Sequence, residues 1–170
     1  MNAYITTGTG DFLLKLVQKY NKEQMALLFG SGHSLLYHET SGKTVFQVPR
    51  KYQLIESVGD FPVKGFAVFH YLPVREEDQK VFEHELSKRP RKLDNATGFL
   101  ALRILRPIKC DTYLIISCWI DKKSYELWKN MEGFAVPNEE KRSIEVNKRT
   151  MYAGESYLKE YAIGTDEKED

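Results

Sequence analysis

Hydrophobic and polar positions fall into two successive runs of similar grammar. Residues 2–7 alternate as a short strand, with Tyr4 and Thr6 on one face. Asp11 then reads as the cap of a helix in which Phe12, Leu13, Leu16, Val17 and Tyr20 recur at helical spacing. Residues 25–29 and 34–38 read as strands joined by Gly30-Ser31-Gly32-His33, a hairpin signal. A third strand is expected over 44–48 after the Ser41-Gly42-Lys43 turn. A short helix is expected from Pro49 or Arg50, carrying Tyr52, Leu54, Ile55 and Val58 and stopped by Gly59.

The second run begins at Gly65. Residues 65–74 read as a strand and 75–88 as a helix, with Val81, Phe82, Glu85 and Leu86 on or beside its buried stripe. Residues 98–106 and 112–120 form an antiparallel pair around Pro107. Residues 122–131 form a helix and 157–163 a closing strand. The order β-α-β-β-α-β is the ferredoxin-like split unit, an α+β class. One such four-stranded sheet leaves an apolar face that must be buried against another layer. The first 60 or so residues supply a reduced copy of the same grammar.

A chain of 170 residues, 42% hydrophobic and 29% charged, can bury one good core or two small fused ones. Its net charge of +1 shows no overall basic excess, so no nucleic-acid partner is expected. The cluster Lys88-Arg89-Pro90-Arg91-Lys92 reads as a solvated helix end, where cations suit the dipole. The start of the chain has no basic region followed by an apolar stretch. The longest apolar run, near Tyr113, is too short to span a bilayer. A cytoplasmic location without membrane insertion is therefore expected. Cys110 and Cys118 are too few for a disulfide framework and, lying in or beside a strand, read as reduced packing cysteines. Gly8-Thr9-Gly10 lacks the third glycine and the acidic residue of a dinucleotide site. His33, His38 and His84 form no zinc-like cluster; His33 reads as solvated in a Gly-rich turn, His38 as exposed or lightly paired and His84 as a surface side chain.

Several stretches carry a family resemblance: Tyr4-Ile5-Thr6-Thr7-Gly8-Thr9, His38-Glu39-Thr40, Thr44-Val45-Phe46-Gln47, Gly65-Phe66-Ala67-Val68, Leu105-Arg106-Pro107 and the helix with Tyr125 and Trp128. Over about residues 2 to 164 the chain resembles the small α+β barrel monooxygenases, the antibiotic biosynthesis monooxygenase (ABM) family. The likeness is to its two-lobed heme-degrading members and to the regulators of the target of RNAIII-activating protein type. The family usually pairs two ferredoxin-like sheets into a barrel by dimerisation. The resemblance therefore implies that this chain mimics the dimer and is a monomer. Residues 1–64 would be a reduced N-terminal ferredoxin-like lobe, 65–164 a C-terminal ABM-type domain and 165–170 a charged, disordered tail.

The resemblance also implies a site. Shorter heme-degrading relatives use an Asn on the first strand, a Trp on the last helix and a His ten residues beyond it. Trp128 takes the tryptophan position, with an implied steric role against a bent porphyrin. His70 stands at the strand Asn position and Asn138 at the His position, so the two polar types are exchanged. In the functional reading, His70 ligates heme iron from the strand side and Asn138 donates a hydrogen bond to bound oxygen. Phe66 and Phe134 would add aromatic walls. In the structural reading, His70 is a satisfied strand histidine and the aromatics are ordinary core. The implied activity is oxidative opening of the porphyrin ring with release of iron, heme being both substrate and cofactor. Dioxygen and an external electron donor, a reductase or small reductant, would be required, since no flavin or nicotinamide motif is present. The alternative is a non-catalytic stress or regulatory protein of the same fold.

Overall fold

The computed structural model describes residues 1–131 and 151–164. Eight antiparallel strands close into one barrel in the order β1-β3-β2-β8-β5-β7-β6-β4, with β4 returning to β1. They are β1 (Asn2–Gly8), β2 (Met25–Gly30), β3 (His33–Thr40), β4 (Arg50–Val58), β5 (Gly65–Pro73), β6 (Phe99–Pro107), β7 (Thr112–Trp119) and β8 (Tyr157–Ile163). Among the described residues three α-helices lie outside: α1 (Gly10–Lys19), α2 (Gln79–Ser87) and α3 (Lys122–Met131). Read around the barrel, β4-β1-β3-β2 and β8-β5-β7-β6 are the same order in two consecutive sets of four. The sets meet at two seams, β4–β6 and β2–β8; among the described residues the second has the register pairs Leu28↔Ile163 and Phe29↔Ala162. No helix among the described residues is long and apolar enough to cross a membrane.

Strand alternation sorts the side chains into three cores. Ala67, Phe69 and Tyr71 of β5 point into the barrel with Ile5, Leu28, Leu35, Tyr52, Leu114 and Tyr161. The opposite face of the second set packs Phe66, Val68, Leu102, Ile115 and Trp119 beneath Phe82 and Leu86 of α2 and Tyr125 of α3. The opposite face of the first set is smaller, with Tyr4, Leu36 and Phe46 around Leu13 of α1.

The second run folds as its pattern predicts, except that residues 75–88 open with a 3₁₀ turn, Glu76–Asp78, before α2. The first run departs in three places. Residues 50–58 are β4, not a helix. A bulge between Leu54 and Glu56 shifts the register. Tyr52 and Leu54 therefore face the barrel while Ile55 and Val58 face the outer core. The extra residue converts a period of two into a spacing that imitates a helix. Residues 44–48 are irregular, because Thr44 Oγ1 accepts from Phe46 N at 3.1 Å and this local bond replaces a ladder bond. Thr9, not Asp11, caps α1, its side chain accepting from Phe12 N. Asp11 falls in the first helical turn, where its charge suits the dipole.

The segment joining the two sets is held at close quarters. Gly59 has φ +69°, and a Cβ there would lie 2.2 Å from the Leu100 carbonyl oxygen. Arg103 is buried on the same face as Ala101 and Leu105. It donates from Nη1 to the carbonyls of Val58 and Gly59 at 3.0 and 2.8 Å and pairs with Glu39. Phe61 stacks on Tyr37 with centroids 4.3 Å apart. Gly59→Ala should lower unfolding stability by about 1–3 kcal/mol through backbone strain, read as the urea midpoint. Gly32 also has positive φ but has nothing within 4 Å of its would-be Cβ. Gly32→Ala should therefore cost less, about 1 kcal/mol.

Candidate functional site

Among the described residues an apolar cavity of about 440 Å³ lies between the outer face of the second four strands and α3. Val68 and His70 reach it from β5, alternating with the inward Ala67, Phe69 and Tyr71. Leu102 of β6 and Ile115 and Ser117 of β7 continue the floor, and Leu158 of β8 closes one side. Tyr125, Trp128 and Lys129 come down from α3.

Local geometry explains why α3 sits here. Asp121 Oδ1 accepts from Ser124 N at 2.8 Å and starts the helix. Hydrogen bonds from the Ser124 backbone and side chain hold the Asp121 carboxyl below its usual value. Tyr125 and Trp128, three residues apart, share one helical face. Trp128 packs at 5.4 Å from Trp119, whose Nε1 donates to Ser117 Oγ at 3.1 Å. A Cβ at Gly98 would meet Ser124 Oγ at 2.3 Å, so only glycine lets the chain enter β6 beneath α3. Lys122 Nζ reaches Glu160 Oε2 at 3.1 Å and ties α3 to β8.

A second support holds the wall that carries Leu93. Arg89 is almost wholly buried and bridges Glu56 of β4 at 2.9 Å and Asp94 at 3.1 Å, next to Leu93 in the 3₁₀ turn Arg91–Asn95. The basic cluster expected to be solvated is thus partly interior, because three carboxylate and carbonyl partners are within reach of Arg89. Burial raises the Glu56 carboxyl, but hydrogen bonds from Arg89 and Arg91 outweigh it and leave the pKa lowered. Glu83 of α2 is lowered in the same way, burial being outweighed by Arg106 and Tyr113.

Of the residues expected at a site, His70 and Trp128 line this one cavity, both half-buried. Phe66 is buried on the same strand face as Val68 and His70 but packs under Tyr125 at 5.9 Å and is not part of the lining. Trp119 is fully buried core. Phe134 and Asn138 lie outside the described residues, as does the tail 165–170. Lys129, Leu93 and Tyr157 were missed; Lys129 adjoins Trp128 in sequence, but Leu93 and Tyr157 reach the cavity only through the fold. Two other histidines correct their expectation. His38 is fully buried, with Nε2 2.9 Å from Glu23, and His33 Nε2 lies 2.7 Å from the Tyr161 hydroxyl. His84 is exposed; of the two free cysteines Cys118 packs in the core, but Cys110 is exposed in the turn between β6 and β7 and does not. Among the described residues no group of three or more His, Cys, Asp or Glu could hold a metal ion by itself.

Comparisons with known proteins agree with this architecture. The profile of the family described as antibiotic biosynthesis monooxygenase (ABM) matches residues 65–137. Signal transduction protein TRAP of Staphylococcus aureus is 30% identical over 131 residues, covering 77% of this chain and 78% of that one. A heme-degrading monooxygenase of Listeria monocytogenes is 29% identical over 126 residues, covering 74% and 75%. The solved structure of a major regulator of staphylococcal pathogenesis superposes with a TM-score of 0.81 at 24% identity. It covers 95% of this chain and 98% of that one, and the likeness is one of fold.

The Arg89–Glu56 support has a pH signature. A carboxyl with a lowered folded pKa stabilises fully above its unfolded value, about 4.3, and loses that contribution as pH falls toward the folded value. Stability should therefore hold from neutral pH to about 4.3 and fall below it. Glu56→Gln should flatten that acid limb and cost about 1–3 kcal/mol at neutral pH, measured by urea unfolding across pH.

Proposed function

The chain belongs to the antibiotic biosynthesis monooxygenase family, and from that premise we propose that it is a heme-degrading monooxygenase that opens the porphyrin ring and releases iron. The observation that carries the reading is the meeting of His70 and Trp128 on one apolar cavity between the sheet and α3. A heme-degrading relative of the same family supports it.

The donor set fits an iron porphyrin. The group needs apolar faces, one nitrogen ligand and a cationic rim for its carboxylates. Val68, Leu102, Ile115 and Trp128 supply apolar surface, His70 an imidazole and Lys129 a cation at the exposed side of α3. When bound, the porphyrin supplies oxygen activation with electrons from an external donor. His70 holds the metal in this reading. Trp128, braced by Trp119 and Tyr125, is a fixed wall that sets which edge of the substrate meets the reacting face. The closed strand floor excludes water beneath it. Asn138 is assigned the hydrogen bond to oxygen, and Phe134 an aromatic contact.

The same reading treats the barrel as two fused ferredoxin-like lobes, residues 1–64 and 65–164. The repeated strand order in each set of four supports it. Only the second set has a helix in the α3 position, so the active pocket belongs to the second lobe. A second reading, a non-catalytic regulator, is favoured by the exchange of the His and Asn types and by the TRAP relatives.

Hemin titration separates the two. The enzyme reading expects one-to-one saturation with a sharp Soret band, then loss of that band with ascorbate and air. Broad free-hemin absorption alone would support the regulator. His70→Ala should move the Soret position and stop turnover while far-UV dichroism stays native; an unchanged spectrum would remove His70 as ligand. Trp128→Phe should keep binding and slow degradation, with a stability change of about 1 kcal/mol. The fused-lobe reading expects a monomer by light scattering, and a dimer built from two second lobes would overturn it.

A further inference from the structure

The barrel interior holds more polar chemistry than packing requires. Tyr71 follows His70 in β5, so the pocket-side imidazole and an inward phenol are chain neighbours. Tyr157, the register partner of Tyr71, stands at the pocket margin, and its ring stacks on Tyr71 with centroids 4.7 Å apart and planes 16° apart. The Tyr71 hydroxyl interacts with that of Tyr161, and both side chains are buried. Tyr161 Oη lies 2.7 Å from His33 Nε2 at the β2–β3 hairpin. His33 Nδ1 faces the Ser31 carbonyl at 3.2 Å. That carbonyl only accepts, so in the neutral ring Nδ1 carries the proton and Nε2 accepts from Tyr161.

We propose that Tyr157, Tyr71, Tyr161 and His33 form a one-electron, one-proton relay that drains stray oxidising equivalents from the pocket to the protein surface. The proposal rests on the oxygenase reading of that pocket. Burial raises the Tyr161 hydroxyl above its usual value, so it stays protonated at neutral pH. A buried tyrosine that loses an electron must then lose its proton at once, and His33 is the base in contact with Tyr161.

The step balances as follows. Tyr161 gives one electron, by way of Tyr71 and Tyr157, to a one-electron oxidant that peroxide generates at a bound iron porphyrin. Its O–H bond breaks and the proton forms an N–H bond at His33 Nε2. A surface reductant such as ascorbate returns the electron to the Tyr161 radical, and His33 returns the proton. Direction is built in, because Lys159 Nζ lies 5.8 Å from the Tyr71 centroid and 5.9 Å from that of Tyr157. A cation over those rings disfavours a hole on either and drives it on to Tyr161. Tyrosine has no accessible reduced form, so the path serves strong oxidants and is no inlet for electrons that reduce iron.

The test uses the full chain loaded with hemin, with binding verified by absorbance before hydrogen peroxide is added. Freeze-quenched samples are read by electron paramagnetic resonance. A tyrosyl signal should form and fall severalfold in Tyr161→Phe, Tyr71→Phe and His33→Gln, while Trp128 oxidation in those variants, read by mass spectrometry, rises severalfold. A tyrosyl signal unchanged by Tyr161→Phe, or a radical confined to tryptophan, overturns the relay and leaves the heme reading standing. If hemin does not bind, the heme reading fails and the relay is tested alone. Flash oxidation of the ligand-free chain by a ruthenium tris-bipyridine sensitiser should give a tyrosyl radical whose yield drops in His33→Gln; an unchanged yield overturns it. Should a Phe variant not fold, the surface change His33→Gln carries the same comparison.

Discussion

Closure of the strand ladder is the constraint on which the other features depend. Eight strands bonded in a ring leave no open edge at either seam, and each strand then has a fixed inside and outside. A one-residue slip in β5 would exchange Val68 and His70 for Ala67, Phe69 and Tyr71 and take the imidazole out of the pocket. Among the described residues the β2–β8 seam has two register pairs, and interior packing of Leu28, Tyr161 and Ile163 shares the work of closure there. The β4–β6 seam is longer and is interrupted by a bulge that lets one strand serve both cores.

The two faces of the second four strands divide the chemistry. Outside, apolar strand residues and the α3 aromatics make a cavity whose polar members are few. Inside, tyrosines and a buried arginine find partners within the barrel. Arg103 shows how such a charge is tolerated, since Glu39 neutralises it at Nε and the carbonyls of Val58, Gly59 and Leu102 surround its Nη1. Those same bonds fix the entry to the segment between the two sets of strands, so the interior ion pair also sets how the halves are joined.

Fold membership leaves the activity open, because the relatives include a heme-degrading monooxygenase and a signal transduction protein at nearly equal identity. What separates such proteins physically is the pocket: whether a nitrogen ligand faces it, whether its aromatic wall is rigid, and whether oxidising chemistry there can be contained. His70, the braced Trp128 and the tyrosine path behind β5 bear on those three questions in turn.

The second run of elements was legible from the sequence because its periods are clean. Lys122–Met131 and Tyr157–Ile163 fall where alternation and helical spacing place them. Trp128 and His70 could be named as a pair only through family resemblance, since nothing local joins residues so far apart. β4 was misread because a bulge hides a period of two, a feature fixed by pairing with β6 and invisible in one strand alone. Burial of Arg89 and His38 was likewise decided by distant carboxylates, Glu56 with Asp94 and Glu23. Periodicity reports which side of an element is apolar; only the tertiary structure decides which polar groups are brought together on the other.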